Sequence, residues 1–239
     1  MPADLAQRIA DGRTDLVLDH LAGGGAPTAT DAHGTSLLQW CAYHGDVTAV
    51  RCLIEAGAAL DTLGANLGLS GAAFHGHWAL CQFLLDRGAA ANAADAATGE
   101  TALHAALCKA NRPIYDHVVA VLLAHGADPN YPTVAGQPTD AFMRDVRTRG
   151  ETPIHRAAAY GTEAAVRMLI AAGARLDVRD ANGDTPLSWA SWHLRPPAVL
   201  RLLCYGDHRI HPDNDATYDH GAGWGQMDAP ATGRPHLDG

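Results

Sequence analysis

Lysine is all but missing from this 239-residue chain, where Lys109 is the one lysine among 17 basic residues. Against 26 carboxylates this leaves a formal net charge of −9, which argues against a general affinity for nucleic acid or for anionic membrane. Long apolar runs are missing too. No stretch approaches the roughly 18 residues of a membrane span, and Met1-Pro2-Ala3-Asp4 shows neither the basic nor the apolar region of a secretory leader. The expectation is a soluble, cytoplasmic protein with no membrane partner. Five cysteines without C-x-x-C spacing argue against a disulfide framework; Cys41, Cys52, Cys81 and Cys204 read as buried, reduced thiols. There is no Walker loop, no G-x-S-x-G, no H-E-x-x-H and no G-x-G-x-x-G in a βαβ setting. No cofactor and no metal site are expected. The scarcity of lysine beside abundant alanine suggests GC-rich, bacterial coding.

What is present is a repeat. Runs of small apolar residues end at Gly57-Ala58, Gly88-Ala89, Gly126-Ala127, Gly173-Ala174 and Gly206-Asp207, at intervals of 31, 38, 47 and 33 residues. A base period near 33 with two insertions is what stacked helix-turn-helix units give. Thr101-Ala102-Leu103-His104-Ala105-Ala106, Thr152-Pro153-Ile154-His155-Arg156-Ala157 and Thr185-Pro186-Leu187-Ser188-Trp189-Ala190 resemble the T-P-L-H-x-A opening of the ankyrin repeat. Weaker copies stand at Ser36 to Cys41 and Leu69 to Ala72.

The resemblance covers residues 4–207 and implies an all-α ankyrin-repeat solenoid of about six units, with an N-terminal cap at 4–25. Repeats are expected near 31–62, 63–94, 98–130, 150–178 and 180–207, with an insertion at 131–149 and no internal domain boundary. Residues 208–239, poor in aliphatics, are expected to lie back over the last repeats through Ile210, Tyr218, Trp224 and Met227. His208-x-x-His211, with Asp213 and His220, offers metal donors on no clear helix.

The family implies that each first helix lines a concave groove. Its variable positions here carry Trp40, Arg156 and Trp189, and the helix ends carry Tyr43-His44, Phe74-His75, Tyr160 and Trp192-His193. An ordinary solvated face would carry Glu, Lys and Asn. His104 and His155 fill the motif position, where the family uses the imidazole to tether backbone. The resemblance implies a binding module for a protein or peptide partner, with Trp40, Tyr43, Phe74, Lys109, Arg156, Tyr160, Trp189 and Trp192 as contact residues. An alternative is a pocket for a small anionic molecule near Lys109, Arg112 and Arg156, with His44, His75 or His193 as general acid or base. The same rings could instead be packed in the core, under the tail or against a second copy.

Overall fold

The computed structural model describes residues 3–64, 68–110, 112–139 and 150–204. The expected tail cap, its histidine donors and the charged insertion residues, Asp140 to Arg149, lie outside the described residues. The chain divides into two compact units, Met1–Ala91 and Asn92–Gly239, where the sequence predicts an array with no internal boundary.

Unit 1 contains α1 (Ala3–Ala10), α2 (Leu16–Ala22), α3 (Leu37–His44), α4 (Val47–Glu55), a 3-10 turn (Leu60–Leu63), α5 (Leu69–His75) and α6 (Trp78–Asp86). Unit 2 contains α7 (Ala102–Ala106), α8 (Ile114–Ala124), α9 (Pro153–Tyr160), α10 (Glu163–Ala171), α11 (Pro186–Trp192) and α12 (Pro197–Leu203). Among the described residues there is no strand, only the bridges Thr30–Ser36 and Ala94–Thr101.

Local chemistry sets the helix ends. Ser36 Oγ accepts from Gln39 N while Gln39 Oε1 accepts from Ser36 N, a reciprocal cap that satisfies two otherwise orphan donors. Thr101 and Thr152 use the histidine three residues on in the same way, His104 Nδ1 and His155 Nδ1 each accepting the threonine N–H at 3.2 Å. Pro153 and Pro186 sit in the first turn, where a missing N–H costs nothing. At the other end Gly173 follows α10 with φ +91°, and the bond from Ala174 N to Leu169 O turns the chain out of the helix.

Within unit 1 the first helices α1, α3 and α5 pack in one layer and the second helices α2, α4 and α6 in another; within unit 2 the layers are α7, α9, α11 and α8, α10, α12. Leu37, Leu53 and Leu80 in unit 1, and Leu103, Leu122, Ile154, Leu169 and Leu187 in unit 2, are fully buried between them. Each such side chain contributes about 1.5–3 kcal/mol relative to exposure.

Polar tethers join successive repeats along two edges. On the loop edge, Asn92 Nδ2 donates to Gly126 O and Asn92 Oδ1 accepts from Asp128 N; Asn130 repeats the pair with Gly173 O and Arg175 N. On the turn edge, Thr14 Oγ1 donates to Asp46, His77 Nε2 bonds Tyr43 O, Thr162 Oγ1 donates to Asp116 and Arg195 Nη1 donates to Ala159 O.

Candidate functional site

In unit 1, α3, the last turn of α5 and the N-cap of α6 bring six rings into one connected face. Trp40 meets Tyr43 edge-on at 6.1 Å and lies parallel to His44 at 6.5 Å; Tyr43 meets His75 at 5.1 Å, and His75 meets Phe74 at 5.3 Å and stacks on His77 at 5.8 Å. Such edge-to-face and offset pairs contribute roughly 0.5–1.5 kcal/mol each beyond area burial, so the rings hold one another in place. Tyr43 is 45% exposed, and Trp78, first in α6 and next to His77, is also 45% exposed. Three anchors fix the layer beneath. Trp40 Nε1 donates to Asp31 Oδ2 at 3.1 Å, His44 Nε2 bonds Ala10 O at 3.0 Å, and His77 Nε2 bonds Tyr43 O at 2.8 Å. Burial of Asp31 works to raise its pKa, but the Thr35 N–H, the Trp40 indole and the His33 N–H hold the carboxylate below its usual range. His44 and His77 therefore join neighbouring repeats, and Gly45 (φ +73°) leaves room for the His77 ring where any Cβ would collide with it.

Unit 2 treats its expected site residues differently. Trp189 is 1% exposed and Tyr160 4% exposed, so neither presents a face to a ligand. Trp189 packs on His155 at 5.2 Å and donates to Asp180 Oδ2 at 3.0 Å. This repeats the Asp31–Trp40 device, and the spacing of nine residues between aspartate and tryptophan in both repeats is the sequence signal for it. His193 Nε2 lies 3.3 Å from the Tyr160 hydroxyl. Trp192 and His193 are half-buried, while Leu194, with φ +49° and 65% exposed, holds the left-handed position that Gly45 and Gly76 fill in unit 1.

Arg156 requires the largest correction. Expected as an anion-binding group, it is completely buried and already paired. Its Nε and Nη2 donate to Glu151 Oε1 at 2.8 and 2.5 Å, Nη1 reaches Glu100 at 2.8 Å and donates to His104 O and Cys108 Sγ at 3.1 Å, and Nη2 donates to Thr139 Oγ1 at 3.2 Å. Burial opposes its charge, but Cys108, Glu151 and Glu100 hold the guanidinium more firmly protonated than usual. Every donor faces protein, so none is left for a ligand. Thr133 Oγ1 completes the cluster by donating to Glu151 Oε2 at 2.9 Å, which fastens the start of the insertion to α9. Glu100 and Glu151 each stand just before a motif threonine, and that repetition is the trace of the network in the sequence.

The insertion also changes the motif histidines. His155 Nε2 bonds Asp184 O at 3.1 Å, whereas the matching carbonyl beyond His104, Glu151 O, accepts from Thr133 N at 2.9 Å. His104 Nε2 is enclosed without a partner at full hydrogen-bond geometry. Desolvation chiefly, then the Arg156 charge, hold the His104 pKa well below the usual imidazole range, with the Glu151 and Tyr131 backbone opposing.

Lys109 lies with its Nζ 5.6 Å from the Tyr115 ring centre, beside a shallow cleft lined by Ala106, Arg112, Tyr115 and Thr162 among others, whose cavity volume of about 10 Å³ is room for about one water. Sites that enclose a small ligand run from about 300 Å³ upward. His44 and His75 lie in unit 1 and His193 in unit 2. All five cysteines are free; burial first, then Asp46, pushes Cys41 up to about 12, and burial pushes Cys81 up to about 12. Among the described residues no group of three His, Cys, Asp or Glu could hold a metal ion, and no helix is long and apolar enough to cross a membrane.

Paired helices capped by Ser or Thr, stacked in two layers and tethered on two edges, define an all-α ankyrin-repeat solenoid. Comparison with known families agrees: residues 98–134 match the ankyrin repeat and residues 134–214 match ankyrin repeats in three copies. The chain carries ankyrin repeats and is a protein-interaction module of that kind. It is 32% identical over 180 residues to palmitoyltransferase ZDHHC13 of Mus musculus, covering 67% of this chain and 29% of that protein. It is 33% identical over 116 residues to Rabankyrin-5 of Homo sapiens, covering 48% and 9%, and 36% identical over 56 residues to Inversin-B of Xenopus laevis, covering 23% and 6%. The chain spans less than a third of the length of these relatives. All are animal proteins and give no support to the bacterial origin that composition suggests.

Proposed function

We propose that this module takes its protein partner on the ring face of unit 1, with Tyr43 and Trp78 as anchors and Trp40, His44, Phe74 and His75 as the layer that holds them. One observation carries the reading: Tyr43 is 45% exposed on a face whose other rings are fixed by contacts and by bonds to Asp31, Ala10 O and Tyr43 O, and Trp78, which follows His77 directly, is equally exposed. Partly exposed, rigid aromatics bury large area on binding with little loss of side-chain freedom, and they dominate interface energetics. The part expected of Arg156 and Trp189 passes to the core, where burial makes them determinants of stability.

The reading is tested by affinity capture with the wild-type chain and with Tyr43→Ala and Trp78→Ala, followed by mass spectrometry. Proteins retained by the wild type should be lost from both variants, while melting temperatures stay close to wild type. Equal capture by all three would remove the ring face as the site.

A further inference from the structure

We infer that the partner segment received by the ring face is cationic, an arginine- or lysine-bearing peptide whose charged head lies over Tyr43 and Trp78. This rests on the ring face being the binding surface and adds the chemistry of what it binds. Unit 1, Met1–Ala91, holds four arginines and no lysine against nine carboxylates. Arg51 lies in the middle of α4, whereas the rings stand on α3, on the last turn of α5 and at the start of α6.

Three carboxylates border the rings. Asp31 bonds the Trp40 indole. Asp46 follows His44 by two residues and is held by Thr14 Oγ1 at 2.6 Å and Ala49 N at 3.0 Å. Asp11 precedes Gly12, whose Cβ position lies 3.6 Å from His44 Cε1. The hydrogen bonds that orient these groups come from neutral donors. Among the described residues the unit 1 ion pairs, Arg8–Asp4 and Arg13–Asp15, leave out all three. None of the three is neutralised by an ion pair among the described residues, and the excess of carboxylates over arginines leaves unit 1 net negative. An aromatic face attracts a cation through its quadrupole, and guanidinium also stacks on it. Carboxylates at the rim add steering and disfavour acidic segments. Rings and charges thus select the same class of partner.

The test is selection of a phage-displayed library of random dodecapeptides on the immobilised full-length chain, at low and at high salt. Enriched peptides should be net positive with arginine beside apolar residues, and enrichment should fall at high salt. For the synthesised consensus peptide, Tyr43→Ala or Trp78→Ala should weaken binding by about tenfold. Asp11→Lys should weaken it by roughly threefold through the field alone, and Glu163→Gln in unit 2 should leave it unchanged. Neutral or acidic peptides that still depend on Tyr43 would overturn the cationic partner and leave the ring face as a site. No enrichment, or binding indifferent to Tyr43 and Trp78, would overturn both.

Discussion

Arg156 shows how far a single side chain can depart from what its position suggests. It sits at a variable position of the repeat, yet it is the charge that allows Glu151 to be buried at 0% exposure. Removing one partner of such a pair leaves an uncompensated charge, at a cost of about 3–5 kcal/mol. Arg156→Met should therefore lower unfolding stability by that order in urea titration, and Arg156→Met with Glu151→Gln should recover part of it. A wild-type midpoint for the single variant would mean that the cluster is open to water. His104 gives a second residue-scale expectation. Its folded pKa lies below the unfolded value of about 6.5, so the unfolded chain binds more protons. Its stabilisation is complete above about pH 6.5 and is lost as pH falls toward the folded pKa, at up to about 1.4 kcal/mol per pH unit. Denaturation midpoints measured from pH 7.5 down to pH 5 should fall more steeply in the wild type than in His104→Gln.

At the scale of elements, the helix ends were legible because their causes are local. A hydroxyl at the N-cap, proline in the first turn and glycine after the last turn act within a few residues, so the helices fall where those signals stand. The burial of Trp189 beside the half-buried Trp40 was not legible. Both carry the same aspartate nine residues earlier, and what separates them is the packing that surrounds each ring. Arg156 departs from its expected exposed role for the same reason: Glu100 and Thr139 reach it only through the tertiary fold. The tethers between elements make a further prediction. Asn130 both donates to Gly173 O and accepts from Arg175 N, so Asn130→Ala removes two bonds and should cost roughly 1–3 kcal/mol. Leu194→Gly should act in the opposite direction. It relieves a left-handed backbone that costs about 1–2 kcal/mol for a residue with a Cβ, offset in part by glycine's greater freedom when unfolded, and should raise the melting temperature or leave it unchanged. A clear fall in the Leu194→Gly midpoint would show that the leucine side chain is packed.

For the whole molecule, repeat arrays bury apolar surface only between neighbours, so the end units protect those inside. Deleting residues 180–239 strips α11 and α12 from α9 and α10, and the fully buried Ile154 and Leu169 lose cover on that side. Light scattering should show association of that fragment; a monomeric fragment with an intact cooperative melt would sink the shielding role of the last pair. The Asp–Trp device has an optical consequence. Each unit carries one such indole, a half-buried Trp40 in unit 1 and an enclosed Trp189 against His155 in unit 2, so once Trp78, Trp192 and Trp224 are replaced by phenylalanine, iodide quenching of the emission should address the first while sparing the second, and each unit can be followed separately without any label.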